Sequence, residues 1–269
     1  MAAVPVSDDR LRDRPGAWVD LGLTLPIFLV YHLAVVFLGV QNATDPVTGT
    51  LLRLSMGDRS KYLLATLAIG VIFAGSFALL GRGQAFRPKK FLQIAVEGVV
   101  YAVAMRVVAG VVVGRLFAGS AVTAAGSAVD SLHAVAGDLA TEGRFVGFIM
   151  SLGAGFYEEL SFRVILFGLG AKLLVSMFGH QRMVLSATGP VASNFTLRSI
   201  MVMVGWAVAC ALVFSAIHYI GAMSDSFQLA SFTFRAILGL VLTLIYVTRG
   251  FAAAVWTHAL YDVWVLVFR

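Results

Sequence analysis

Residues 155–168 read GFYEELSFRVILFG, and three ionisable side chains, Glu158, Glu159 and Arg163, fall within six residues of an otherwise apolar run. At the centre of a membrane helix each charge costs about 2.5 to 3.5 kcal/mol, so three cost roughly 7 to 10 kcal/mol unless they pair or meet water. On a helix Glu159 and Arg163, four apart, share a face and neutralise each other, whereas Glu158 is turned by about 100° and has no such partner. One carboxylate is then structural and the other is free to react. Downstream, VFSAIHYIG places His218 one turn after Phe214, whose ring can wall the imidazole, and WTHALYDVW places His258 and Asp262 four apart, facing one groove. Taken singly, each motif also reads as packing: a charge pair joining helices, an interhelical histidine, a local His–Asp bond.

Taken together, they put two carboxylates and two imidazoles on three apolar segments, and convergence around water or an ion relieves the cost of all of them. A glutamate and a histidine holding one water form a general base for attack on an amide carbonyl, while a second polar cluster opposite steadies the developing oxyanion. Glu158, His218, His258 and Asp262 are also the donor types of a hydrolytic site for a divalent metal such as zinc. Both chemistries stay open at this point.

The elements that carry these residues must be membrane helices. Of 269 residues, 59% are hydrophobic and only 13% charged, and the mean hydropathy is +0.90, far more apolar than a soluble core requires. The net charge of +6 does not mark a nucleic-acid site, because the basic residues cluster at the ends of apolar runs, where they anchor helices and set topology. The one cysteine, Cys210, lies inside an apolar run, which excludes an internal disulfide and a cysteine metal cluster.

Runs long enough to cross a bilayer span 19–40, 62–80, 91–117, 145–178, 199–220, 229–247 and 251–268. The first is long for a signal peptide, lacks a small-residue cleavage site, and is expected to be a retained transmembrane helix. The fourth would be roughly 51 Å long as one helix, so it either projects beyond the membrane or breaks near Gly168 and Gly170. The expected fold is an all-α polytopic transmembrane bundle with seven to eight crossings and a buried polar active-site cavity. Residues 1–117 form N-terminal transmembrane helices, 118–144 a small-residue loop with a short surface helix between Val129 and Leu139, and 145–269 the catalytic part. Arg10, Arg12 and Arg14 and the loop RGQAFRPKK favour a cytoplasmic N-terminus, and seven crossings then put His218 near the outer end of its helix.

In this order, Glu-Glu-x-x-x-Arg, Phe-x-x-x-His and His-x-x-x-Asp resemble the motifs of the CPBP family of intramembrane proteases, also called the Abi or type II CAAX prenyl endopeptidase family. The resemblance covers residues 145–269. It implies an α-helical membrane protease in which Glu158 activates water with help from His218, Glu159 and Arg163 hold the helix arrangement, and His258 with Asp262 lines the oxyanion side. The family is often named as metalloproteases, yet its members are also explicable as glutamate-dependent hydrolases. The last motif commonly ends in asparagine there. Ionised Asp262 can only accept a hydrogen bond, so His258 is the better oxyanion donor, and Asp262 either stays protonated, orients His258 or binds a metal. The implied partners are the lipid bilayer and a membrane-protein or lipidated-peptide substrate. The implied location is a membrane, the bacterial inner (cytoplasmic) membrane in the first place.

Two other function classes compete. A membrane scaffold or bacteriocin-immunity-type protein would keep the fold and bind a partner in its polar cavity. A proton-coupled transporter would show broken helices in two related halves, a symmetry the sequence does not display. Among the remaining polar residues, Glu97 and Arg106, nine apart, lie on nearly opposite faces and are expected to pair with neighbouring helices. His32, Lys172 and Arg235 read as interface or helix-end residues. GAG at 153–155 lets a neighbouring helix approach closely beside Glu158.

Overall fold

A backbone that crosses lipid must satisfy its own hydrogen bonds, and a helix does so within one segment. The computed structural model describes residues 15–42, 44–117, 143–179, 184–186, 189–191, 196–220 and 226–268. The helix expected between Val129 and Leu139 lies outside the described residues.

Each apolar run is a helix: α1 (Ala17–Leu38), α3 (Arg59–Leu80), α4 (Pro88–Leu116), α5 (Arg144–Glu158) with its continuation, α7 (Leu197–Ile217), α8 (Leu229–Arg249) and α9 (Phe251–Val267), while a short α2 (Pro46–Leu54) follows α1. Six helices, counting Arg144–Gly179 as one, are long and apolar enough to cross a membrane, and α9 is a shorter apolar helix of 17 residues. The sequence did not announce α2 or the small antiparallel hairpin β1 (Val184–Ser186) and β2 (Gly189–Val191). Side-chain caps start several helices. Asp45 accepts from the Val47 and Thr48 N–H groups with Pro46 in the first turn, and Asp58 from Ser60 and Lys61.

The surface is inverted relative to a soluble protein. Leu64, Val71 and Ile72 of α3 and Val99, Val107 and Val111 of α4 are exposed, while Asp20, His32, Glu159 and Arg163 are buried. An apolar exterior of this extent faces acyl chains. The chain is an integral membrane protein.

The fourth run does not break at Gly168 and Gly170. Glu159–Leu169 continues α5 as a π-helix (π1), followed by α6 (Gly170–Leu174) and a second π turn, π2 (Val175–Gly179). An interruption would leave backbone groups unpaired in lipid. A change of hydrogen-bond register avoids that, and the Leu166 carbonyl in π1 also accepts the Trp206 indole N–H at 3.0 Å.

Two neighbours press on α5 where the sequence reads GAG. A Cβ on Gly153 would lie 2.2 Å from the Tyr31 ring of α1, and one on Gly155 would lie 2.7 Å from Ala259 Cβ of α9. The absent side chains let both helices close on α5 beside Glu158. Helix α1 also holds the start of α9. Gly250, at φ 93°, turns the chain between α8 and α9 without supplying a side-chain cap, and Asp20 Oδ1 of α1 accepts the Ala252 N–H at 2.9 Å instead. Glu97 and Arg106 find partners on other helices, as their spacing requires: Arg249 donates to Glu97 at 2.7 and 2.8 Å, and the Arg106 guanidinium sits 4.8 Å from the Trp264 ring centroid.

Candidate active site

Glu158 is the last residue of α5 and Glu159 the first of π1, so the acidic pair straddles the change of helix type. Local π geometry recurs at functional sites because it re-aims side chains without ending the helix. From this junction Glu159 turns into the dry core and Glu158 toward α7 and α9.

Glu159 has two partners. Arg163 Nη1 lies 3.0 Å from its Oε1, and the same oxygen accepts the His258 Nδ1–H at 2.6 Å. The Arg163 guanidinium also lies 4.4 Å from the Phe214 ring centroid. The pairing of Glu159 with Arg163 follows the sequence expectation. The bond to His258, across 99 residues, was not foreseen. It fixes the imidazole as carboxylates fix histidines in many hydrolytic sites, holding the proton on Nδ1 and presenting Nε2 outward.

His218 caps the end of α7. Its Nδ1 lies 2.8 Å from the Phe214 carbonyl oxygen. A carbonyl only accepts, so Nδ1 carries the hydrogen, and in the neutral ring Nε2 is the acceptor. That Nε2 lies 3.9 Å from Glu158 Oε2, and His258 Nε2 lies 3.7 Å from the same oxygen and 3.6 Å from Asp262 Oδ2. Phe214 stands between the two imidazoles, at 5.2 Å from His218 and 6.0 Å from His258. The structure therefore brings together Glu158, His218, His258, Asp262, Glu159, Arg163 and Phe214.

The cluster grades from wet to dry. The His218 side chain is 28% exposed and that of Asp262 19%, against 0% for Glu159 and 1% for Arg163. The open edge is therefore at His218 and Asp262. Glu158 Oε2 is buried without a hydrogen-bond partner among the described residues. With both Nδ1 atoms carrying the hydrogen, Glu158 Oε2, Asp262 Oδ2 and the two Nε2 atoms are all acceptors. Such a set calls for O–H donors, an added proton or a cation.

The donor types are those of zinc. Bonds of 2.0–2.1 Å in a tetrahedron, however, put neighbouring donors about 3.3 Å apart, and the separations of 3.6, 3.7 and 3.9 Å given above are wider. Among the described residues no group of three or more His, Cys, Asp or Glu side chains has metal-binding spacing. Arg235 was read from sequence as an interface or helix-end residue. It is buried on α8 and donates to the Tyr219 hydroxyl at 2.9 Å. As the seventh residue of α8, it gave no sign of this in the sequence.

Residues 141–264 match the model of the family described as type II CAAX prenyl endopeptidase Rce1-like. That segment is similar to this family. The match contains all seven clustered residues. The Rce1-like segment is thus the part that converges on the acceptor cluster, while α1 to α4 lie before it. No curated protein and no solved structure matches the chain.

Proposed function

We propose that the protein is an intramembrane endopeptidase that hydrolyses a peptide bond of a membrane-anchored or lipidated protein, with Glu158 and His218 activating water. The observation that carries this reading is the convergence of acceptor atoms on Glu158 Oε2, with two imidazole Nε2 atoms within 3.9 Å. A water donating one hydrogen to Oε2 and the other to His218 Nε2 has its oxygen lone pair free for attack from the exposed edge. As the oxygen–carbon bond forms, the proton passes to Glu158 and the carbonyl π electrons move onto oxygen.

His258 takes the oxyanion side. Its Nδ1–H is committed to Glu159, and a proton taken up on Nε2, the added proton that the acceptor cluster calls for, makes the imidazolium whose Nε2–H donates to the oxyanion. On collapse the C–N bond breaks and Glu158 returns its proton to the leaving amine. Asp262 supports His258 here and does not donate to the oxyanion. Entry between apolar helices suits a substrate held at the membrane by its own span or lipid.

A zinc-dependent version would take its ligands from Glu158, His218, His258 and Asp262, and zinc content of purified wild-type and Glu158→Gln protein tests it. The protease reading itself is tested by comparing protein termini in membranes carrying wild-type or Glu158→Gln protein. A substrate whose terminus shifts only with the wild type supports it. Identical termini, with both proteins accumulated and both complementing a deletion, would favour the scaffold or immunity-type alternative.

A further inference from the structure

A second buried histidine lies on the other side of α5. His32 of α1 is wholly buried, as are Tyr31, Tyr62 and Tyr157. His32 Nε2 bonds the Tyr157 hydroxyl, and Nδ1 bonds the Tyr62 hydroxyl at 2.8 Å. Asp45 anchors the cluster from the start of α2. It accepts the Tyr31 hydroxyl at 3.0 Å, the Thr48 hydroxyl, and the Val47 and Thr48 N–H groups. Thr48 in turn reaches the Tyr62 hydroxyl at 3.4 Å. The network spans α1, α2 and α3 and ends on the residue immediately before Glu158.

Consecutive helical residues point about 100° apart, so holding Tyr157 holds Glu158. A side-chain tip lies about 6 Å from a helix axis, and a rotation of roughly 20° would move the Glu158 carboxylate about 2 Å. That displacement is large for a reacting group, since about 1 Å of misplacement can cost a hundredfold in rate. The position matters because α5 changes hydrogen-bond register at the next residue, where the regular ladder no longer defines rotation alone. A rotational stop supplied from outside the helix has most effect there.

We propose that His32 and Tyr157 form a positioning latch by which the N-terminal helices set the direction of Glu158. The inference rests on the protease reading for its effect on rate, but the latch itself can be tested without a substrate. In a Cys210→Ala background, which removes the one native and buried cysteine, Glu158→Cys places a thiol at the acid's position for modification by a small methanethiosulfonate. Adding Tyr157→Phe removes one hydroxyl and keeps the ring packing. Labelling in folded protein should slow at least fivefold as the thiol turns from the open edge. His32→Phe should do the same, and His32→Gln, which restores a donor and an acceptor, should recover much of the parent rate.

With native Glu158 and a prenylated CAAX-type peptide as probe, Tyr157→Phe should lower kcat at least tenfold with KM within twofold of wild type. Labelling at the parent rate in both Tyr157→Phe and His32→Phe would overturn the latch, and Tyr157→Phe decides alone if His32→Phe does not accumulate. Slowed labelling together with a wild type that cleaves no peptide leaves the latch standing and counts against the protease reading.

Discussion

On one flank of α5, Tyr157 enters a cluster around His32 in which both imidazole nitrogens and both Asp45 oxygens are bonded. On the other flank, one residue later, Glu158 enters a cluster in which its own Oε2 is buried without a hydrogen-bond partner among the described residues and four acceptors face one another. Histidines, carboxylates and burial are common to both. What separates them is completion. A buried polar network with every bond made rigidifies its surroundings, whereas an acceptor such as Glu158 Oε2, buried with no donor among the described residues, binds a group that supplies one. Their adjacency on one helix means the finished cluster can aim the unfinished one.

The sharpest break of this comparison is at Glu158. Glu158→Gln replaces an acceptor with an amide that cannot take the water's proton, and cleavage should fall at least a thousandfold while the protein accumulates normally, as read by substrate termini and immunoblot. Next comes Arg163→Ala. It leaves the wholly buried Glu159 without its guanidinium and should cost about 3 to 5 kcal/mol, seen as loss of folded protein from the membrane rather than as a change in kcat.

A smaller effect is expected of Asp262→Asn. His258 keeps Glu159, so folding should hold. The weakened support of the imidazolium should lower kcat by about tenfold, a loss of about 1.4 kcal/mol in transition-state binding. Smallest is Tyr31→Phe, which removes a hydroxyl bonded to Asp45 and to the Asn42 N–H. It should destabilise by about 1 kcal/mol, read as a lower melting midpoint in detergent, with cleavage unchanged because the bond from His32 to Tyr157 remains.

The bundle was legible because length and apolarity suffice to announce a membrane helix: each of the seven runs became a helix, six of them long and apolar enough to cross a membrane and α9 shorter. The convergence of Glu158, His218, His258 and Asp262 was legible from cost, since isolated ionisable groups on three apolar helices require a common explanation. Rotation and register were not legible. A helix apolar on all sides carries little record of which face meets which neighbour, so neither the bond from Glu159 to His258 nor the burial of His32 among tyrosines could be read from spacing. The π1 segment has no sequence mark either. ELSFRVILFGL has the composition of an ordinary membrane helix, and Gly168 and Gly170 suggested a break that the change of register makes unnecessary.

The bond between Asp20 and the Ala252 N–H joins two residues 232 positions apart. During synthesis α1 enters the bilayer long before α9 exists, and its acid waits for the amide that will seat α9. His258 and Asp262 ride on that late-arriving helix. On the proposed protease reading, a nascent chain therefore carries Glu158 into the bilayer before His258 and Asp262 arrive to complete the site.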